Sequence, residues 1–288
     1  MLISTEINPF QGYGDVKKVI KMLKDAGFTA YDYSMFSHAH ANLVAEDYKE
    51  RAKEIRAYAD SIGIVCNQTH APFPTVVTER RMPLNESVVF NEKSFEIVKR
   101  AIEFSGILGA KICVVHPCND HGAEENAKFY LCLEETARTA GVKIALENMW
   151  NWYPGDTHAS PAACSHHDDF KKHLDLLPKD VFVACVDIGH AEMFGLDTSA
   201  VKMLETLGDR VEAMHLHDVD GTYDNHAIPF NQKIKYAPII ETLRKIGYKG
   251  DVTLESEHPA VDVPVELIPA AATYMAAIAN YFKNEIEK

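Results

Sequence analysis

The sequence predicts a (β/α)8 barrel, on three observations. Short β-rich runs alternate with longer charged segments of helical period along all 288 residues. Glycines sit where helical segments should end, and side chains able to bind metal fall near the ends of five strand-like runs.

In order, strands are expected near residues 2–7, 29–34, 62–70, 111–116, 142–147, 181–187, 211–217 and 251–255. Helices are expected near 15–26, 46–61, 86–107, 124–140, 167–177, 198–207, 236–246 and 263–285. Gly27, Gly63, Gly109, Gly141 and Gly247 each fall between a helical pattern and the next strand. A doubly wound open sheet shares this alternation, but no GxGxxG follows the first strand. In either fold, ligands gather at the carboxyl ends of the strands. No linker divides the chain, so residues 1–288 are expected to form a single barrel domain.

A chain that is 47% hydrophobic can bury a sizeable core. Its 29 basic and 42 acidic residues give a formal charge of -13, which disfavours nucleic acid or an anionic membrane as the main partner. The six cysteines form no CxxC, which suits reduced thiols in a cytoplasmic protein. The start Met1-Leu2-Ile3-Ser4-Thr5-Glu6 does not resemble a signal peptide, and no run approaches ~18 uncharged apolar residues.

The five marked runs are Ile112–His116, Lys143–Glu147, Val181–Asp187, Val211–His215 and Asp251–Glu255. Every second strand residue points into a barrel, so Ala145 with Glu147, Cys185 with Asp187, Ala213 with His215 and His217, and Thr253 with Glu255 and Glu257 should share the interior. Ionised carboxylates there need a cation. Two Glu, one Asp and one His offer hard oxygens and an imidazole, a set that suits Mn2+, Zn2+, Co2+ or Mg2+.

The motifs Thr69-His70-Ala71-Pro72, Val115-His116-Pro117, Leu146-Glu147-Asn148, Asp187-Ile188-Gly189-His190-Ala191, His215-Leu216-His217-Asp218, Asp224-Asn225-His226 and Leu254-Glu255 resemble those of the xylose-isomerase-like TIM barrels. That superfamily contains sugar phosphate isomerases and epimerases, ketose 3-epimerases, hydroxypyruvate isomerase and endonuclease IV. The resemblance implies one metal held by Glu147, Asp187, His215 and Glu255, with His215 preferred because it lies three residues before Asp218. It implies that His190 bonds a substrate oxygen and that His217 touches substrate or supports a ligand.

The implied reaction is isomerisation or epimerisation of a sugar or sugar phosphate by proton abstraction next to a carbonyl, with Glu147 and Glu255 as the acid/base pair. Endonuclease IV supplies the alternative, a multinuclear zinc phosphodiesterase. Its ligand pattern finds the right residue types in His70, His116, Glu147, Asp187, His190, His215, Asp224, His226 and Glu255, so more than one metal is compatible with the sequence. Against DNA stand the net charge and rim loops with few basic residues beyond Arg80, Arg81, Lys233 and Lys235. A dehydratase on the same scaffold ranks below epimerisation. The family's glycine-rich stretch after the Asp224 motif is replaced by Pro229-Phe230-Asn231-Gln232-Lys233.

Residues 148–167 form a loop too long for a minimal βα turn and suited to a lid. Within it Trp150, Trp152 and Tyr153 could stack on a sugar, and Lys233 could hold a phosphate; Trp152 and Lys233 are therefore substrate-binding candidates. His158, Cys164, His166 and His167 are too irregularly spaced for a zinc site. His38, His40, Phe10, Tyr13 and Phe73 could border the substrate. A homo-oligomer is compatible with the chain.

Overall fold

The computed structural model describes residues 1–36, 39–73, 92–152, 155, 157–257 and 263–288, with 92–94 by backbone alone. His38, Arg80, Arg81, Tyr153 and the start of the helix expected at 86 lie outside the described residues.

The strands are β1 (Ile3–Thr5), β2 (Ala30–Ser34), β3 (Val65–His70), β4 (Ile112–Val114), β5 (Lys143–Glu147), β6 (Phe182–Asp187), β7 (Val211–His215) and β8 (Val252–Leu254). They pair in parallel and in chain order from β2 to β7, and β1 pairs with β8. Single parallel bridges complete the ring, Glu6 with Asp32 between β1 and β2 and Leu216 with Leu254 between β7 and β8. The result is the closed α/β barrel expected from the alternation.

Around the strands run α1 (Val16–Ala26), α2 (His40–Val44), α3 (Tyr48–Ile62), α4 (Glu92–Leu108), α5 (Ala123–Leu131), α6 (Glu134–Ala140), α7 (His167–Asp175), α8 (Ile188–Ala191), α9 (Ala200–Leu207), α10 (Tyr236–Lys245) and α11 (Ile268–Ile286). The five glycines expected to end helices all take left-handed φ, from +67° to +107°, where a side chain would be strained. The helix expected over 124–140 is two. The amides of Cys132 and Leu133 bond three residues back, to Phe129 and Tyr130, and the tightened turn leaves Leu133 fully buried.

Inside the barrel the inward strand positions carry small side chains. Val114, Ala145, Val183, Cys185 and Ala213 pack together, and Ser4 and Thr253 share a 2.8 Å hydrogen bond beside them. A second, larger apolar layer fills the space between strands and helices. The two layers leave the polar residues that follow each strand converging at one end.

Candidate functional site

The carboxyl ends of β5, β6, β7 and β8 bring Glu147, Asp187, His215 and Glu255 together, all buried. Their ligand-type atoms all lie within 4.8 Å of one another. His215 Nδ1 sits centrally, 2.9 Å from Glu255 Oε2, 3.1 Å from Glu147 Oε1 and 4.0 Å from Asp187 Oδ2.

Two further donor groups adjoin this one. His70 Nε2 and His116 Nε2 lie 2.9 Å apart, and Glu147 Oε2 stands 3.4 and 3.0 Å from them. On the other side, Asp224 Oδ2 lies 3.2 Å from His190 Nε2 and 2.9 Å from His226 Nε2. Glu147 therefore faces two groups with its two oxygens. A separate group, His166, His167 and Asp168, lies at the exposed start of α7, where His166 Nδ1 accepts from the Asp168 amide.

The ring orientations suit a cation. The Nδ1 atoms of His70, His190 and His226 each lie 2.9 Å from a backbone carbonyl, of Ala71, Asn148 and Glu255 respectively. A carbonyl only accepts, so each Nδ1 carries the proton and a neutral ring turns its Nε2 lone pair inward. Inward, those lone pairs meet carboxylate oxygens or another imidazole, an arrangement that needs a proton or a metal between the partners. Glu147 Oε2 and Glu255 Oε2 are buried, and among the described residues neither has a hydrogen-bond partner despite the close imidazoles. The donor set fits a divalent ion.

Without a metal, protons provide the compensating charge. Burial opposes ionisation of Glu147, but His215 and His116 outweigh it and hold the carboxyl well below its usual range. Asp224 is likewise held low by His190 and His226 against its burial. Burial alone would lower His190, yet Asp187 and Asp224 push it up to about 10.

Local structure aims these groups. Asn148 clamps β5 to β6, its Nδ2 donating to the Asp187 carbonyl at 2.9 Å and its Oδ1 accepting from the Asp187 amide at 2.8 Å. His217 is fully buried and contacts both Asp187 oxygens through Nε2, at 2.9 and 3.0 Å. His226 takes φ +43°, an uncommon conformation that turns its ring between Glu255 and Asp224. Phe230, in the stretch that replaces the family's glycines, adopts φ +76°, so that loop holds a left-handed residue without glycine.

A cavity of about 290 Å3 opens above these groups, lined in part by His70, His116, Glu147, His190, Glu255 and Glu257. Its walls include the stacked Phe36 and Phe73 and, opposite in the sequence, Met149 and Trp150. Among the candidates for substrate contact, His190 and Phe73 line it, whereas His217, Trp152 and Lys233 do not. His217 lies beneath, Trp152 stacks on Tyr223, and Lys233 Nζ lies over the Phe194 ring. Larger cavities lie between α1 and α3 and at the floor of the barrel, without a comparable donor set.

Sequence reasoning passed over Glu6, Asp32 and Gln68. Gln68 Nε2 lies 3.0 Å from His215 Nε2 and donates to Asp32 Oδ2 at 2.8 Å, while Ser34 Oγ donates to Glu6 Oε2 at 3.2 Å. An acid isolated in an apolar strand run was the available signal, the same one that marked Glu147.

The chain belongs to the xylose isomerase-like TIM barrel family, whose pattern matches residues 17–283. It is similar to an uncharacterized protein of Methanocaldococcus jannaschii, 28% identical over 198 residues that cover 66% of this chain and 64% of that protein. Thus the match spans just under two thirds of the relative's length. In structure it resembles a D-tagatose 3-epimerase-like protein, with TM-score 0.72, 19% identity, and coverage of 100% of this chain and 98% of the other. It also resembles a 3-keto-D-glucoside 4-epimerase from E. coli, with TM-score 0.66, 14% identity, and coverage of 96% and 99%. No helix among the described residues is long and apolar enough to cross a membrane.

Proposed function

We propose that the protein is a metal-dependent sugar isomerase or epimerase that moves a proton at carbon next to a carbonyl. The observation that carries this reading is the pair Glu147 and Glu255, which both approach His215 Nδ1, at 3.1 and 2.9 Å. Each has one buried oxygen without a hydrogen bond, beneath a cavity open to a small molecule.

A divalent cation held by Glu147, Asp187, His215 and Glu255 would supply the charge that polarises a substrate carbonyl. Glu147 and Glu255 then act on the carbon between them, one removing the proton and the other returning it. Asp187 and His215 are mainly ligands. His190, whose ring is fixed by the Asn148 carbonyl and lines the cavity, orients a substrate oxygen. Phe36, Phe73 and Trp150 exclude water from the reacting carbon. The family to which the chain belongs and its likeness to sugar epimerases support the same assignment.

Among the described residues, those that line the cavity include no lysine or arginine. One observation favours a second reading. The three adjoining donor groups match a multinuclear phosphodiesterase as well as a single-metal epimerase. Metal-loaded protein incubated with ketoses, their phosphates and keto-glycosides in deuterated water separates the two. Solvent deuterium entering beside the carbonyl is the expected result. Nicking of abasic DNA without such exchange would replace this reading with the hydrolase, and loss of a hydroxyl from the sugar would replace it with a dehydratase.

A further inference from the structure

Both tryptophans of the chain, Trp150 and Trp152, lie in the loop after β5. Trp150 lines the cavity, with its ring 6.4 Å from that of His190. Trp152 stands outside it and stacks on Tyr223, the ring centroids 5.4 Å apart and the planes at 25°. Tyr223 immediately precedes Asp224, another lining residue. The stacked pair therefore joins the β5 and β7 loops, each partner within two residues of a lining residue.

This aromatic surface is built on a fixed frame. Asn151 and Ser160 pair as an antiparallel bridge, the Ala159 amide donates to the Phe194 carbonyl at 2.9 Å, and the Phe194 amide donates to Gly221 at 2.7 Å. Phe194 packs so tightly over Gly221 that a Cβ there would lie 2.6 Å from its Cζ. Yet Tyr223 and Phe194 leave 58% and 54% of their surface exposed. Large exposed aromatic rings close to a binding cavity mark a recognition surface.

The chemistry of the pair selects its ligand. Indole and phenol each join a flat apolar face to a polar edge, which complements a pyranose with its apolar C–H face and rim of hydroxyls. The cavity, at about 290 Å3, lies at the small end of the range of roughly 300–1,000 Å3 for small-molecule sites. A cavity of that size has room for a single sugar ring, and its lining residues Trp150 and Asp224 are close in sequence to Trp152 and Tyr223.

We propose that Trp152 and Tyr223 form a second sugar subsite, so that the substrate is a reducing disaccharide whose reacting ring, which releases its carbonyl on opening, sits in the cavity and whose second ring stacks at the rim. The proposal rests on the sugar reading of the site.

Trp150→Phe leaves Trp152 as the sole tryptophan, and its emission in the metal-loaded protein is followed as glucose, cellobiose, maltose and lactulose are added. At least one disaccharide should shift the emission and bind about tenfold more tightly than glucose. Tyr223→Ala should remove that advantage, and Tyr223→Phe, which keeps the ring face, should retain most of it. Emission unresponsive to every disaccharide, or equal weakening of glucose and disaccharide by Tyr223→Ala, would overturn the proposal. So would light scattering in which Tyr223→Ala dissociates a dimer while the disaccharide preference persists, since a second copy of the chain would then cover the pair. Failure of the epimerase reading is read elsewhere, as absence of solvent deuterium in ketoses, and leaves the emission and affinity ratio interpretable.

Discussion

Glu147 stands between two sets of imidazoles, and that position argues for its dual part as ligand and base. Replacing Glu147 or Glu255 by Gln keeps the volume and removes the proton acceptor. Isotope exchange should fall by about 10²–10⁴ in each variant, measured at saturating metal. Exchange within tenfold of the parent would remove that residue from the acid/base pair. Glu6 makes a different argument. Burial, with Glu255 and Glu257 nearby, raises its pKa well above the ordinary value, and its Oε1 has no hydrogen bond. A carboxyl raised above its unfolded value of about 4.3 gives stability that is intact below that value and is lost as pH rises through the folded one. In chelator-stripped protein, Glu6→Gln should therefore gain stability on the parent as pH rises above the ordinary carboxylate range, in thermal or denaturant melts. A difference that does not change with pH would contradict the assignment.

At the scale of elements, the turn from β6 into α8 is the critical joint. The Asp187 side chain accepts from the His190 amide at 2.6 Å, and Gly189 leaves the space that the His217 imidazole occupies against Asp187. A methyl group on Gly189 would overlap that ring. Gly189→Ala should thus displace His217 and weaken Mn2+ affinity about tenfold or more by titration, since support of a ligand is typically worth 10–100-fold. Unchanged affinity would show that His217 does not steady Asp187. The strands were legible because buried parallel strands read as apolar runs, and the residue closing each run pointed to the rim. The short α2 and α8 were not, since four or five residues cannot display a helical period. The break between α5 and α6 was equally hidden, as no glycine or proline marks Cys132 and Leu133. Asp32 and Glu6 escaped notice because neither ends its run in a ligand motif. Trp152 and Lys233 stand outside the cavity lining, Trp152 stacked on Tyr223 and Lys233 over Phe194, a placement that depends on loop geometry.

For the whole molecule, closure of the ring decides function. Eight strands that end on one rim bring residues from positions 70 to 255 into a cluster a few ångströms across, although no two of the four central ligands are nearer than 28 places in sequence. The surrounding charge of -13 adds a field that attracts cations. Binding of a divalent ion to the folded chain alone should raise its stability by about 2.7 kcal/mol at a concentration 100 times the dissociation constant. On the proposed reading, Glu147, Asp187, His215 and Glu255 grip a cation at the barrel mouth. Calorimetric titration of Mn2+ into chelator-stripped protein tests it most directly, beside a variant carrying Asp187→Asn and His215→Asn. Saturable binding of at least one equivalent is expected in the parent, and its loss in the variant. Equal binding in both proteins, or none by the parent with Mn2+, Zn2+, Co2+ or Mg2+, would contradict it.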